Sequence, residues 1–149
     1  MSRFSFRLER ILWLRSQAEK ERARALGSAL RLEDERRRRM DDAHEKLSQV
    51  GDQLTAGSAE VRAAGLLHNL GLTMAEAADR VEEATSSHAE AEVKVREEEQ
   101  HYREARKDRR VLELLRERRH EIWKLESSRE EQKDIDSQAQ IQRRTGESA

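Results

Sequence analysis

The sequence predicts an all-α fold in which two long helices form an antiparallel coiled-coil hairpin. Charged residues make up 41% of the 149 residues and apolar residues only 35%, which is too little to fill a globular core. Proline is absent and glycine occurs only 6 times, as in long helices. Two series of small and apolar residues also recur with the alternating 4,3 spacing of a coiled-coil seam.

The first predicted helix covers about residues 4–62. Its inward series starts at Phe4 and follows the 4,3 spacing to Val61, with one stutter after Leu32. Alanine and arginine occupy many of these positions, so the seam between the helices is thin. We therefore expect an isolated hairpin to be only modestly stable, and a partner protein to stabilise it.

A turn is predicted over about residues 63–73. The segment contains Gly65 and Gly71, and Thr73 is followed three residues later by Glu76. That pair has the spacing of a capping box at the start of a helix. The hairpin is therefore expected to fold near residue 68.

The second predicted helix covers about residues 74–143. Its inward series keeps the 4,3 spacing without a break from Met74 to Leu112. A short connection favours antiparallel neighbours, so residues 1–149 are expected to form a single coiled-coil hairpin. A parallel dimer of straight helices is the alternative.

The sequence offers no motif for catalysis. There is no cysteine, no glycine-rich phosphate loop, no HExxH helix and no paired catalytic carboxylates. The histidines never fall three or four residues apart, which argues against a metal site on one helix face. We predict a protein that is not an enzyme and has no cofactor, metal or catalytic site. The five histidines are His44, His68, His88, His101 and His120.

The charge pattern also bears on nucleic acids and membranes. The arginine run at residues 36–39 is flanked by acidic residues and lacks the interleaved aromatic residues that stack on bases. No window reaches the roughly 18 apolar residues that span a bilayer. The sequence therefore predicts a cytoplasmic protein that does not bind nucleic acid.

The most informative feature is an excess of apolar residues at both ends of the chain. Over residues 109–132 they spread around about half of the helix circumference, whereas a two-helix seam needs only a narrow stripe. Folding near residue 68 would place Trp13 level with Trp123 and off the seam, at the open end of the hairpin. Both ends are also basic. Either the two apolar surfaces cover each other, or they dock into a larger partner.

Both ends resemble the flagellar export protein FliJ. The stretch "FSFRLERILWLRSQAEKERARAL" is similar to the opening of that family, and "VLELLRERRHEIWKLESSREEQKDID" is similar to its close. The positions that match are Phe4, Phe6, Leu8, Leu12, Arg15, Leu112, Leu115, Arg118, Arg119, Trp123, Glu131, Gln132, Lys133 and Asp136.

The resemblance implies a stalk of the flagellar type III export apparatus, similar in fold to the coiled coil of the rotary ATP synthase gamma subunit. Its partners would be the hexameric export ATPase FliI, the export gate protein FlhA and export chaperones. It would lie at the cytoplasmic face of the inner membrane, held there only through these partners. The residues expected to bind partners are Phe4, Phe6, Trp13, Arg15, Leu112, Leu115, Arg118, Arg119 and Trp123.

Two other functions fit the same pattern. One is the stalk of a virulence-type secretion injectisome, which would share the hairpin. The other is a purely structural coiled coil that assembles with itself through the excess apolar face. A stalk should remain largely monomeric without its ring, whereas a self-assembling coiled coil should gain mass with concentration.

Overall fold

The chain forms two long α-helices in a computed structural model that describes residues 3–57 and 64–146. Helix α1 spans Glu9–Gly57 and helix α2 spans Ala64–Gly146. The two helices contact each other extensively, and neither described range contains a strand. The predicted all-α fold class is therefore confirmed.

Helix α1 begins later than predicted. Residues 3–6 are not helical, and the first helical residue is Glu9, whose N–H donates to the carbonyl of Phe6 at 3.0 Å. The carboxylate of Glu9 in the first turn is favourable beside the positive end of the helix dipole. The predicted start at residue 4 is wrong because Phe4 belongs to a non-helical segment that packs against α2.

The predicted turn is wrong over residues 64–73, where α2 is already helical. The Thr73 hydroxyl donates to the Asn69 carbonyl at 2.9 Å, a bond inside a helix, so it does not cap a helix start. Glycine costs only about 1 kcal/mol relative to alanine in a helix, so Gly65 and Gly71 do not end one. The predicted end of helix one and the start of the turn lie in residues 58–63, outside the described residues.

The chain divides into two compact units, which we call the terminal and the central unit. The terminal unit comprises Met1–Glu19 with Glu104–Ala149, and the central unit comprises Lys20–Arg103. Each unit contains a part of α1 packed on a part of α2. The two parts are antiparallel in both units, since paired residues rise in number on α1 as they fall on α2.

The interior of the central unit is small and partly polar. Ala29, Ala91 and Glu98 are its buried residues among those described. Ion pairs join the two helices on either side of the alanines: Arg22 lies 4.0 Å from Glu98, and Arg36 lies 3.6 Å from Glu90. The thin seam predicted from the sequence is thus a row of alanines bordered by charged pairs.

The inward series predicted for α2 holds from Ala77 to Leu112, each member being half-buried or buried, whereas Met74 is exposed. On α1, Leu32 is exposed and Glu33 takes the inward place instead. Glu33 Oε1 lies 2.8 Å from Nε2 of His88. This contact with His88 across the seam explains why Glu33, rather than Leu32, faces α2.

Candidate protein-docking surface

An aromatic cluster fixes the N-terminal segment to α2 in the terminal unit. The Phe4 ring meets His120 edge-on, with centroids 4.8 Å apart, and lies 5.8 Å from Trp123. His120 stacks on Trp123 at 5.8 Å. All three side chains are half-buried. Trp123 therefore belongs to the contact between the N-terminal segment and α2, and the prediction that it points off the seam is wrong.

The prediction that Trp13 and Trp123 lie level is also wrong. Trp123 is level with Phe4, and the ion pair of Arg15 with Asp108 at 3.0 Å places Trp13 closer to residue 110. The two tryptophans are thus separated by roughly 15 to 20 Å along the helices. The expectation assumed a fold near residue 68, and the helical residues 64–73 displace the register.

A groove lies between the N-terminal segment and α2. Its volume is about 810 Å³. Phe6 and Leu8 line one side, while Leu115, Ile122 and Trp123 line the other. Arg3, Arg7, Arg119 and Glu126 also line it, so the groove offers both apolar and charged surface to another protein.

Beside this groove, α2 exposes a row of large apolar side chains, which we call the apolar stripe. Its members recur at helical spacing and lie on one side of α2, away from the half-buried Leu112. All five are exposed, from 37% for Leu115 to 61% for Leu125, and two of them, Leu115 and Ile122, also line the groove. The apolar stripe consists of Val111, Leu114, Leu115, Ile122 and Leu125.

Helix α1 contributes fewer exposed apolar residues. Trp13 is 60% exposed, and Ile11 and Leu14 are also exposed. Ile11 was expected in the seam, but Leu12 is the half-buried residue of that turn. The predicted excess of apolar residues at the two ends of the chain is therefore present as exposed surface.

Ion pairs hold the basic residues that face the seam of the terminal unit. Arg116 lies 3.1 Å from Glu9, and Arg109 contacts both Glu19 and Glu113. The hydrogen bond to Glu19 raises the pKa of Arg109. These arginines are engaged within the chain and are poor candidates for binding a partner.

Arg118 and Arg119 differ from them. Both are exposed, and neither forms an ion pair within residues 3–57 and 64–146. Arg119 lines the groove, and Arg118 lies along the apolar stripe. Arginine next to exposed apolar surface is enriched at protein interfaces.

All nine residues predicted to bind partners lie in the terminal unit, but the structure gathers only some of them. Phe4, Phe6, Leu115, Arg119 and Trp123 line the groove. The other four do not line it: Leu112 is half-buried, Arg15 is paired with Asp108, and Trp13 and Arg118 are exposed elsewhere. Their role in binding stays a prediction.

Two groups of residues were missing from that prediction. Val111, Leu114, Ile122 and Leu125 complete the apolar stripe, and their helical spacing could have identified it. His120 joins the aromatic cluster. Continuing the 4,3 series of α2 beyond Leu112 gives residues 116, 119 and 123, so it would have placed Trp123 in the seam but would not have reached His120.

Each arginine of the run at residues 36–39 forms an ion pair within the chain. Arg36 reaches Glu90, Arg37 and Arg38 both reach Asp34, and Arg39 reaches Glu35. Such a run presents little free positive charge to a phosphate backbone.

The described residues hold neither a metal-binding cluster nor a membrane-spanning helix. In the part of the chain that the structure describes, no group of three or more His, Cys, Asp or Glu side chains could hold a metal ion. No described helix is long and apolar enough to cross a bilayer.

Comparison with known proteins gives one result. The family model described as "Flagellar FliJ protein" matches residues 4–148, nearly the whole chain. Comparisons with curated proteins and with solved structures returned no match. The match includes both ends that suggested the family and the middle of the chain that did not. The chain therefore belongs to the FliJ family of flagellar proteins.

Proposed function

We propose that this component of the flagellar export apparatus is a non-enzymatic stalk that docks through its terminal unit into the ring of the export ATPase. The observation that carries the proposal is the apolar stripe, which lies uncovered beside two unpaired arginines. A contiguous exposed apolar surface bordered by charge is typical of a protein-binding site. The hexameric ATPase, similar to FliI, is the partner that membership of the family favours.

Such a stalk acts on the ATPase by binding some states of its subunits better than others. A single asymmetric stalk presents a different face to each subunit of a ring. It can shift the ring between states only by its difference in affinity for them. We therefore propose that the protein raises the turnover of the ATPase without any catalytic group of its own.

We further propose that the protein contacts an export gate protein similar to FlhA, and export chaperones. These partners would hold it at the cytoplasmic face of the inner membrane. Membership of the family supports both contacts. A flagellar system is also preferred over an injectisome, because the matching family model is the flagellar one.

Binding to the purified cognate ATPase tests the proposal. The double variant Leu114→Ser with Leu125→Ser changes two stripe residues that are 49% and 61% exposed. We expect it to weaken binding by about 2 kcal/mol, or roughly thirtyfold, a loss typical of an interface hot spot. Because both side chains are exposed, the thermal midpoint should stay close to that of the native protein.

The control is a double variant of the central unit, Leu30→Ser with Leu72→Ser. These leucines are 45% and 58% exposed, which matches the stripe residues closely. Its affinity for the ATPase should remain within about twofold of the native value. Equal losses in both variants, or no loss in the stripe variant, would refute docking through the terminal unit.

The apolar stripe also favours a second candidate function, a coiled coil that assembles with itself. Sedimentation equilibrium separates the two. A stalk should keep the mass of one 17.4 kDa chain up to tens of micromolar. A self-assembling coiled coil should gain mass over that range, and the stripe variant should then reduce the gain.

A further inference from the structure

The apolar stripe has a definite shape on α2. At about 100° per residue, its five members cover a face about 100° wide, centred well away from the seam. The spacing from Val111 through Leu115 and Ile122 to Leu125 follows the 4,3 rhythm of a helix-packing surface, with residue 118 at its centre. A face of this width and rhythm fits one partner helix.

Three basic residues lie along the same face. Lys107, Arg118 and Arg129 recur every eleventh residue, which returns nearly to the same angle on the helix. All three are exposed, and none forms an ion pair within the described residues. By contrast, Arg109 and Arg116, which face α1, are paired with carboxylates. Three of the unpaired basic residues of this part of α2 thus lie on its exposed apolar face, whereas Arg106, Arg119 and Lys124 lie elsewhere on the helix.

This arrangement disfavours a second copy of the chain as the occupant. Apart from Leu115, whose mirror position is Glu121, the stripe is symmetric about Arg118. Two stripes packed antiparallel would therefore oppose Arg118 to Arg118 and Lys107 to Arg129. Two stripes packed in parallel would oppose each basic residue to itself. Like charges facing each other across an apolar contact are unfavourable in both orientations.

We propose that the apolar stripe binds an amphipathic helix of another protein whose apolar face carries acidic residues opposite Lys107, Arg118 and Arg129. Charge complementarity favours this occupant, since three carboxylates would supply the partners that the chain does not provide. The bound helix would be at least about 23 residues long, or about 35 Å. This inference deepens the proposed docking role by naming the chemistry of the partner.

A designed peptide tests it on the full protein without any ATPase. The probe is a fluorescein-labelled helical peptide of about 25 residues with a leucine face and three glutamates spaced eleven apart. Its reference carries glutamine at those three positions. Titrations followed by fluorescence anisotropy give both affinities. The glutamate peptide should bind at least about tenfold more tightly at 50 mM salt, and the difference should shrink at 500 mM salt.

Two variants with the same change in net charge provide the control. Arg118→Glu with Arg129→Glu reverses two charges on the stripe. Arg106→Glu with Lys124→Glu reverses two exposed, unpaired charges that lie about 130° around α2 from the centre of the stripe. The first variant should lose the preference for the glutamate peptide, and the second should keep most of it. Circular dichroism checks that both remain helical.

The inference is overturned if the two peptides bind alike, if neither binds, or if both charge variants lose the preference equally. Dimerisation of the native protein through the stripe would also overturn it. ATPase binding is scored separately. If the glutamate peptide is preferred but the ATPase does not bind, the proposed function fails and this inference stands. If the ATPase binds the native protein and the variant Arg118→Glu with Arg129→Glu equally well, the proposed function stands and this inference fails.

Discussion

At the scale of single residues, the contact between the two helices of the central unit includes a buried carboxylate, that of Glu98. Glu98 is buried between the helices of the central unit, 3.0 Å from the Lys94 ammonium and 4.0 Å from Arg22. The hydrogen bond from Lys94 lowers the pKa of Glu98, against the opposing effect of its burial. The same bond raises the pKa of Lys94. The pair is therefore most favourable when both groups are charged.

This pair predicts a pH-dependent stability. The folded pKa of Glu98 lies below the ordinary value of 4.5, so its contribution is complete above that value and is lost as the pH falls through the folded pKa. Glu98→Gln should therefore lower the thermal midpoint at pH 7 and have a smaller effect at pH 3. If the thermal midpoints of the native protein and of Glu98→Gln differ by the same amount at pH 7 and at pH 3, this account is contradicted.

The two tryptophans should behave differently when truncated. Trp123 packs on Phe4 and His120, so Trp123→Ala should destabilise the protein by about 1–2 kcal/mol. Trp13 is exposed, and Trp13→Ala should leave the free energy of unfolding within about 0.5 kcal/mol of the native value. Urea denaturation of the two single variants measures both. Equal losses would show that the aromatic cluster does not hold the N-terminal segment.

At the scale of the helices, the sequence predicted their number and their inward faces better than their ends. The 4,3 series from Ala77 to Leu112 places each residue correctly, because a buried face must repeat with the helix period. The turn was misplaced because glycine and a Thr–Glu pair are only local signals. Local propensities of about 1 kcal/mol per residue yield to the packing of a long helix.

Gly71 tests the extent of α2 directly. Its backbone is helical, and an added Cβ would meet no atom within 4 Å. Gly71→Ala should therefore stabilise the protein by about 0.5–1 kcal/mol, the usual gain of alanine over glycine inside a helix. Thermal or urea unfolding measures it. A lower stability would instead indicate that the chain turns at this residue, as the sequence first suggested.

At the scale of the whole molecule, the candidate site could be predicted in part. The excess of apolar residues at both ends was visible because a two-helix seam has no room for them. Which of them would remain exposed depended on the register, and the register depended on where the chain reverses. Because the predicted reversal was misplaced, the prediction missed that Trp123 contacts Phe4. It also missed that Leu114 and Leu125 form the exposed surface.

The central claim is that the terminal unit docks into the export ATPase through the apolar stripe. Photo-cross-linking tests it most directly, with a cross-linking amino acid placed at Leu114 in one protein and at Leu72 in another. Both positions are exposed, but only Leu114 belongs to the stripe. With the ATPase present, cross-linking from Leu114 should capture an ATPase subunit, whereas cross-linking from Leu72 should not. Capture from Leu72 without capture from Leu114 would contradict the claim.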